Sequence, residues 1–259
     1  MTRLAAAIAL ALIAVSCGTS SSTNKDDLAV LAGAIREIQS KGAHVSLDEQ
    51  VAQTGGSIPR GQEGKAELKA EGTFKADRAA VRLRLTGNSR FDYDLVIDDA
   101  DVYVRPHGVE RAYFLGAAAA AETFFEGLRL NLLRDIDLLA AKESFNAYNV
   151  KDGELLRRYV VTPGNDQLEQ LQSAVDFTSA ASETSFLKSA SGSITFYLTF
   201  SGNHLHRYEI HLVGTDPASG IHSDIRSTVI VSSIGKASAI AVPDNWIAVS
   251  PDQLFATGG

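Results

Sequence analysis

The sequence predicts an α+β fold: a single large, strongly bent antiparallel sheet, a half-barrel, with helices packed on its concave apolar face. Runs of strictly alternating apolar and polar residues recur along most of the chain, and period two is the mark of a strand with one buried face. The links between these runs are short, as successive antiparallel strands require. A helical block interrupts the series with strand-like runs on both sides of it. This implies one continuous sheet and not two domains.

The elements follow in order. Leu28, Leu31, Ile35 and Ile38 recur at helical spacing, with Arg36, Glu37 and Gln39 on the opposite side. Asp26 and Asp27 can cap this helix and Lys41-Gly42 ends it. From Ala43 the period changes to two, with Val45 and Leu47 alternating with Ser46 and Asp48. Gly55 to Gly61 reads as a loop. Ala66, Leu68, Ala70 and Phe74 form the next run, then Val81, Leu83 and Leu85, then Phe91, Tyr93, Leu95 and Ile97, with Val102 and Val104 continuing. Ala117 to Glu126 has high helix propensity, and the following stretch to Leu139 is apolar around much of its circumference. A hairpin follows, turning at Lys151-Asp152-Gly153. A second amphipathic helix carries Leu168, Leu171 and Val175. The last runs are Ile194, Phe196, Leu198 and Phe200, then Tyr208, Ile210 and Leu212, then Ile225, Val229 and Val231.

The N-terminus carries a different signal. Arg3 is followed by Leu4 to Val15, which contains only Ala, Leu, Ile and Val. This run is too short to span a bilayer, which takes about 20 residues. A short apolar run after a positive start reads as a secretory signal peptide, residues 1–16. Ala14-Val15-Ser16 leads into Cys17, the only cysteine of the chain. This resembles the bacterial lipobox, which implies that Cys17 is diacylated and becomes the mature N-terminus. Two acyl chains of palmitate type anchor a protein stably where one binds only marginally. The expected place is therefore the cell membrane, lipid-anchored on the extracytoplasmic side. With Cys17 modified, no thiol is left for disulfides, metal ligation or catalysis. Residues 17–25 form the lipidated cysteine and a small, polar tether, and residues 26–259 form one domain.

Composition narrows the function. The chain is 45% hydrophobic and 21% charged, with a net charge of −7, which argues against nucleic acid and against a basic membrane-docking face. No Gly-x-Ser-x-Gly elbow and no His-Glu-x-x-His helix occur. Gly56 to Gly61 has phosphate-loop spacing, but Gln62 and Glu63 stand where a lysine and a hydroxyl are required. His204 and His206 at a hairpin turn are read as surface histidines and not as metal ligands, since no thiol or carboxylate supports them in sequence. The aspartates between Asp92 and Asp101 are read as a solvated face, not a calcium loop. No catalytic residue, metal or cofactor is expected.

The order of parts is itself recognisable. Ser40-Lys41-Gly42-Ala43-His44-Val45 enters the first strand after the tether and helix. Asp98-Asp99-Ala100-Asp101-Val102-Tyr103-Val104, the apolar helical middle and the Asn149-Val150-Lys151-Asp152-Gly153 hairpin with Arg158-Tyr159-Val160-Val161 follow. This resembles the actinobacterial LppX/LprG-type lipoprotein family, whose half-barrel is similar to the LolA/LolB carriers. The resemblance implies a U-shaped sheet enclosing an apolar cavity. It also implies a cargo of acylated lipid or glycolipid moved within the cell envelope, with a transporter as possible partner. On that reading the cavity is lined by Leu68, Phe74, Leu83, Leu85, Phe91, Tyr93 and Leu95 from the first half of the sheet. Phe124, Phe125, Leu128, Leu132 and Ile136 line it from the helical block, and Phe196, Leu198, Phe200 and Ile210 from the second half. The Ala- and Leu-rich stretch from Ala117 to Leu139 is also able to fill that space. The alternative is then a structural or regulatory lipoprotein with a closed core that binds protein partners.

Overall fold

In the computed structural model the described residues are 25–56, 58, 64–75, 78–86, 91–98, 101–117, 144–151, 153–164, 168, 189–236 and 238–249. Cys17 and the expected leader, the expected helical block with Phe124, Phe125, Leu128, Leu132 and Ile136, and most of the expected second amphipathic helix lie outside them.

The first element is helix α1 (Lys25–Lys41). Leu31, Ala34, Ile35 and Ile38 fall on one side at helical spacing and are buried, which drives the helix onto the sheet. Gly42 stops it: its φ of 76° is left-handed, and its amide donates to the Ile38 carbonyl at 2.8 Å. α1 packs against β2, β10 and β7 of the sheet, as defined next.

Strands β1 (Ala43–Gly55), β2 (Gly64–Lys75), β3 (Arg78–Thr86), β4 (Phe91–Asp98), β5 (Asp101–Pro106) and β6 (Ala112–Ala117) form one antiparallel meander. Strands β7 (Ser144–Lys151), β8 (Glu154–Val161), β9 (Ser191–Thr199), β10 (Leu205–Thr215) and β11 (Ile221–Ser232) form a second. β11 pairs with β1 over twelve residues and fuses the two into one sheet. The order is β12-β6-β5-β4-β3-β2-β1-β11-β10-β9-β8-β7, so the strands before residue 118 and after residue 143 feed one sheet.

The final strand, β12 (Trp246–Ala248), departs from the antiparallel expectation, because it runs parallel to β6. Trp246 lies 5.0 Å from the Phe114 ring and 5.9 Å from Tyr103, centroid to centroid, so an aromatic cluster closes this edge.

Strand alternation sets the two faces. In β1, Ala43, Val45, Leu47, Glu49 and Val51 are buried while Asp48 and Gln50 are exposed. In β11, Ser223, Ile225, Ser227, Val229 and Val231 are buried while His222, Arg226 and Ile230 are exposed. The buried set faces α1 and is called the inner face here. The outer face carries ion pairs between neighbouring strands. Arg82 holds both oxygens of Asp92, at 2.9 and 2.8 Å, and Arg105 reaches Asp94 at 3.1 Å. Of the aspartates between Asp92 and Asp101, Asp92 and Asp94 are partners of arginines across β3, β4 and β5.

Candidate functional site

The inner face carries the buried hydrophobic cluster, and cross-strand register arranges it in rows. One row runs Tyr159, Phe196, Tyr208, Val229, Leu47 and Ala70 from β8 to β2. It continues through Leu83 to Tyr93 on β4. Phe196 and Tyr208 contact each other with ring centroids 5.9 Å apart. The next row runs Val161, Ile194, Ile210, Ser227, Glu49 and Leu68. Beyond it, Leu212, Ile225, Val51 and Ala66 follow in the same order.

Period-two packing therefore turns scattered aliphatic residues into a continuous apolar wall. Each Leu, Ile, Val or Phe buried this way contributes roughly 1.5–3 kcal/mol. The wall is closed to water: Phe196 is 0% exposed, Ile210 3% and Leu68 3%. Burial also pushes the Tyr93 hydroxyl above its ordinary pKa, as expected of a phenol among apolar side chains.

Most of the expected cavity residues that are described fall on this wall. Leu68, Phe74, Tyr93, Leu95, Phe196, Leu198 and Ile210 are all buried in one cluster. Leu83, Leu85 and Phe91 are placed by backbone register alone, Leu85 pairing with Leu68 on one side and Phe91 on the other. Phe200 departs from its expected place. β9 ends at Thr199, whose amide turns back to the His204 carbonyl at 2.8 Å. Phe200 therefore sits in the turn, 50% exposed, with the Arg157 guanidinium 5.7 Å over its ring.

The wall also holds residues outside the expected cavity lining. Tyr159 and Tyr208, the latter read in a strand run, are fully buried on it. Glu49, 1% exposed, stands between Leu47 and Val51 and accepts a hydrogen bond from the Ser227 hydroxyl on the adjacent strand. Extending the alternation of Val45 and Leu47 by one step would have placed Glu49 inside. A buried carboxylate costs several kcal/mol of desolvation unless donors compensate it, so this position is the polar point of an otherwise greasy surface.

The histidines make other bonds. His204 Nδ1 donates to Glu37 at 2.6 Å, and His211 Nε2 pairs with Asp224 at 3.1 Å. His44 meets Glu71 at 3.3 Å. Among the described residues no group of three or more His, Cys, Asp or Glu is placed to hold a metal. Among the same residues no helix is long and apolar enough to cross a membrane.

Comparison with known proteins gives the following. No family model matches the chain, and no curated protein matches it. Among solved structures it is similar to the Mycobacterium tuberculosis lipoprotein LppX, at 15% identity and a TM-score of 0.47, covering 84% of this chain and 100% of that one. It is also similar to a β-barrel-like protein of a domain of unknown function from Brucella abortus, at 9% identity and a TM-score of 0.23, covering 75% and 99%.

Proposed function

We propose that this protein is a membrane-anchored lipoprotein that binds the acyl chains of a lipid or glycolipid against the inner face of its sheet and carries them within the cell envelope. The observation that carries the reading is the apolar wall from β8 to β4, broken by the Glu49–Ser227 pair, with α1 packed on β2, β10 and β7. An exposed acyl chain costs about 0.8 kcal/mol per methylene, so a carrier must enclose its cargo. On this reading the sheet is bent into a half-barrel over a single domain and its cargo lies between sheet and helices. Phe124, Phe125, Leu128, Leu132 and Ile136 of the helical block form the opposite wall. Cys17 holds the molecule on the extracytoplasmic side of the membrane, residues 18–25 give it reach, and a transporter hands over or receives the lipid.

The test is direct. The soluble form from Gly18 onward, expressed in a lipid-producing host, is expected to yield co-purified acyl lipid by mass spectrometry and to take up fluorescent acyl probes. Lipid-free protein with no probe uptake would sink the proposal.

One observation favours a second reading. The wall is sealed at the core positions named above, as a permanently closed protein would have it. A closed-core envelope lipoprotein would bind neither lipid nor probe and would crosslink to protein partners at the membrane surface.

A further inference from the structure

Where α1 ends, the structure holds a pocket of about 540 Å³ that the acyl reading does not use. Three segments build it. The last turns of α1 supply Glu37 and Lys41, the β9–β10 turn and the start of β10 supply His204 and His206, and the turn after β11 supplies Ser233 and Lys236. The turns are fixed in place: the Gly235 amide donates to the Gly42 carbonyl at 2.9 Å, and the His204 amide donates to Thr199 Oγ1 at 3.1 Å.

The walls hold unusual backbone. Asn203, next to His204, and Ser233 have φ of 55° and 53°, and they are the non-glycine residues with positive φ among the described residues. Left-handed conformations are unfavourable for residues with a Cβ and collect at binding sites, where surrounding structure holds them.

The charge balance is the opposite of the whole chain's. Two lysines and two imidazoles face a single carboxylate, in a molecule of net charge −7. Glu37 is occupied from within the pocket, accepting from Lys41 Nζ at 2.8 Å and from His204 Nδ1 at 2.6 Å. It therefore balances one cation and leaves the pocket net positive. With neutral imidazoles the named groups sum to about +1. The α1 C-terminus adds partial negative charge, so attraction for an anion must come from the side chains.

We propose that this pocket binds a phosphate-type oxyanion, either free or as the headgroup of an anionic membrane lipid. The ammonium groups of Lys41 and Lys236 act as charge-assisted donors. The volume exceeds that of phosphate alone and leaves room for an attached glycerol or sugar.

The experiment uses the full chain carrying Cys17→Ser, so that no acyl anchor contributes and the leader is common to all variants. Inorganic phosphate is titrated at a single neutral pH, with chloride at matched ionic strength as control. Saturable binding is expected. Lys236→Ala should weaken it about fivefold, and so should Lys41→Ala, whose side chain is 60% exposed and carries little packing. Glu37→Gln should tighten it. Sedimentation with phosphatidylcholine vesicles, with and without phosphatidylglycerol, separates the sources. An anionic-lipid dependence lost in Lys236→Ala assigns the headgroup, and phosphate binding without that dependence assigns the free anion. Absence of saturable phosphate binding, or binding untouched by both lysine variants, overturns the site.

Discussion

Ser227 donates its hydroxyl to a carboxylate that has almost no access to water, and this sets what its removal must cost. In Ser227→Ala the Glu49 carboxylate loses a donor that solvent cannot replace. A loss of about 1–3 kcal/mol is expected, read as a lower urea midpoint. Glu49→Leu should behave differently, because an apolar residue of similar volume removes the desolvation cost along with the hydrogen bond. It is expected to be neutral or stabilising, and to remove most of the cost of Ser227→Ala in the double variant. Equal destabilisation by both single variants would show that the pair is not the coupled unit described. Glu49 also marks where reading the sequence stopped short. Its type says surface, and its place in the Val45, Leu47, Val51 series says interior. Register decides the matter, since a strand cannot turn one side chain outward without turning its neighbours.

At the scale of elements, α1 is fastened at its C-terminal end by Glu37. Burial pushes this carboxyl up, but hydrogen bonds from Lys41 and His204 with their charges outweigh it and hold it below the ordinary glutamate value. Arg82, through its hydrogen bonds, likewise holds Asp92 below the ordinary aspartate value. A carboxyl lowered in the folded state stabilises the fold above its unfolded pKa, and the contribution is lost as pH falls through its folded pKa. Stability is therefore expected to be flat above about pH 5 and to fall below about pH 4.3. Glu37→Gln should reduce that acid slope without changing the slope above pH 5. Urea midpoints at pH 7, 5, 4 and 3 check it, and an unchanged acid slope would refute the role of Glu37. The opposite edge should be the weakest element, since β12 is three residues long and Trp246 is 44% exposed. Trp246 is the only tryptophan, so its emission should shift at lower urea than the far-ultraviolet circular dichroism. Coincident transitions would mean that β12 is part of the cooperative core.

The same elements show what the sequence could reveal. β1, β2, β4, β10 and β11 were legible because one face is wet and the other dry, so residue type alternates with position. β6 was not, because Phe114 on its outer side is covered by Trp246 and the alternation disappears. Phe200 was misplaced because its apolar character continues a rhythm that the backbone has already ended at Thr199. The basic pocket was invisible in sequence. Glu37, His204 and Lys236 come together only through the packing of α1, the β9–β10 turn and the segment after β11, and no linear spacing links them.

For the whole molecule, the proposed anchor makes a claim separable from the fold. Cys17→Ala is expected to move the protein from the membrane fraction to the soluble fraction, with thermal stability unchanged because Cys17 precedes α1. Quantitative sedimentation of that variant with membranes would refute the anchor. Lipid uptake measured on the same variant tests the carrier reading independently, since the wall owes nothing to the anchor.

The pairing of β11 with β1 has a consequence in time. The middle of the sheet joins two strands that are 174 residues apart in sequence at Val51 and Ile225 (225 − 51). A chain emerging from N- to C-terminus makes β1 and must wait for β2 to β10 before its partner arrives. Until then β1 offers an unpaired edge beside a bare apolar face, a combination prone to mispairing. Contacts so distant in sequence also fold slowly once the chain is complete. The protein is thus most vulnerable until β11 has been made, and assembly of this fold depends on that strand.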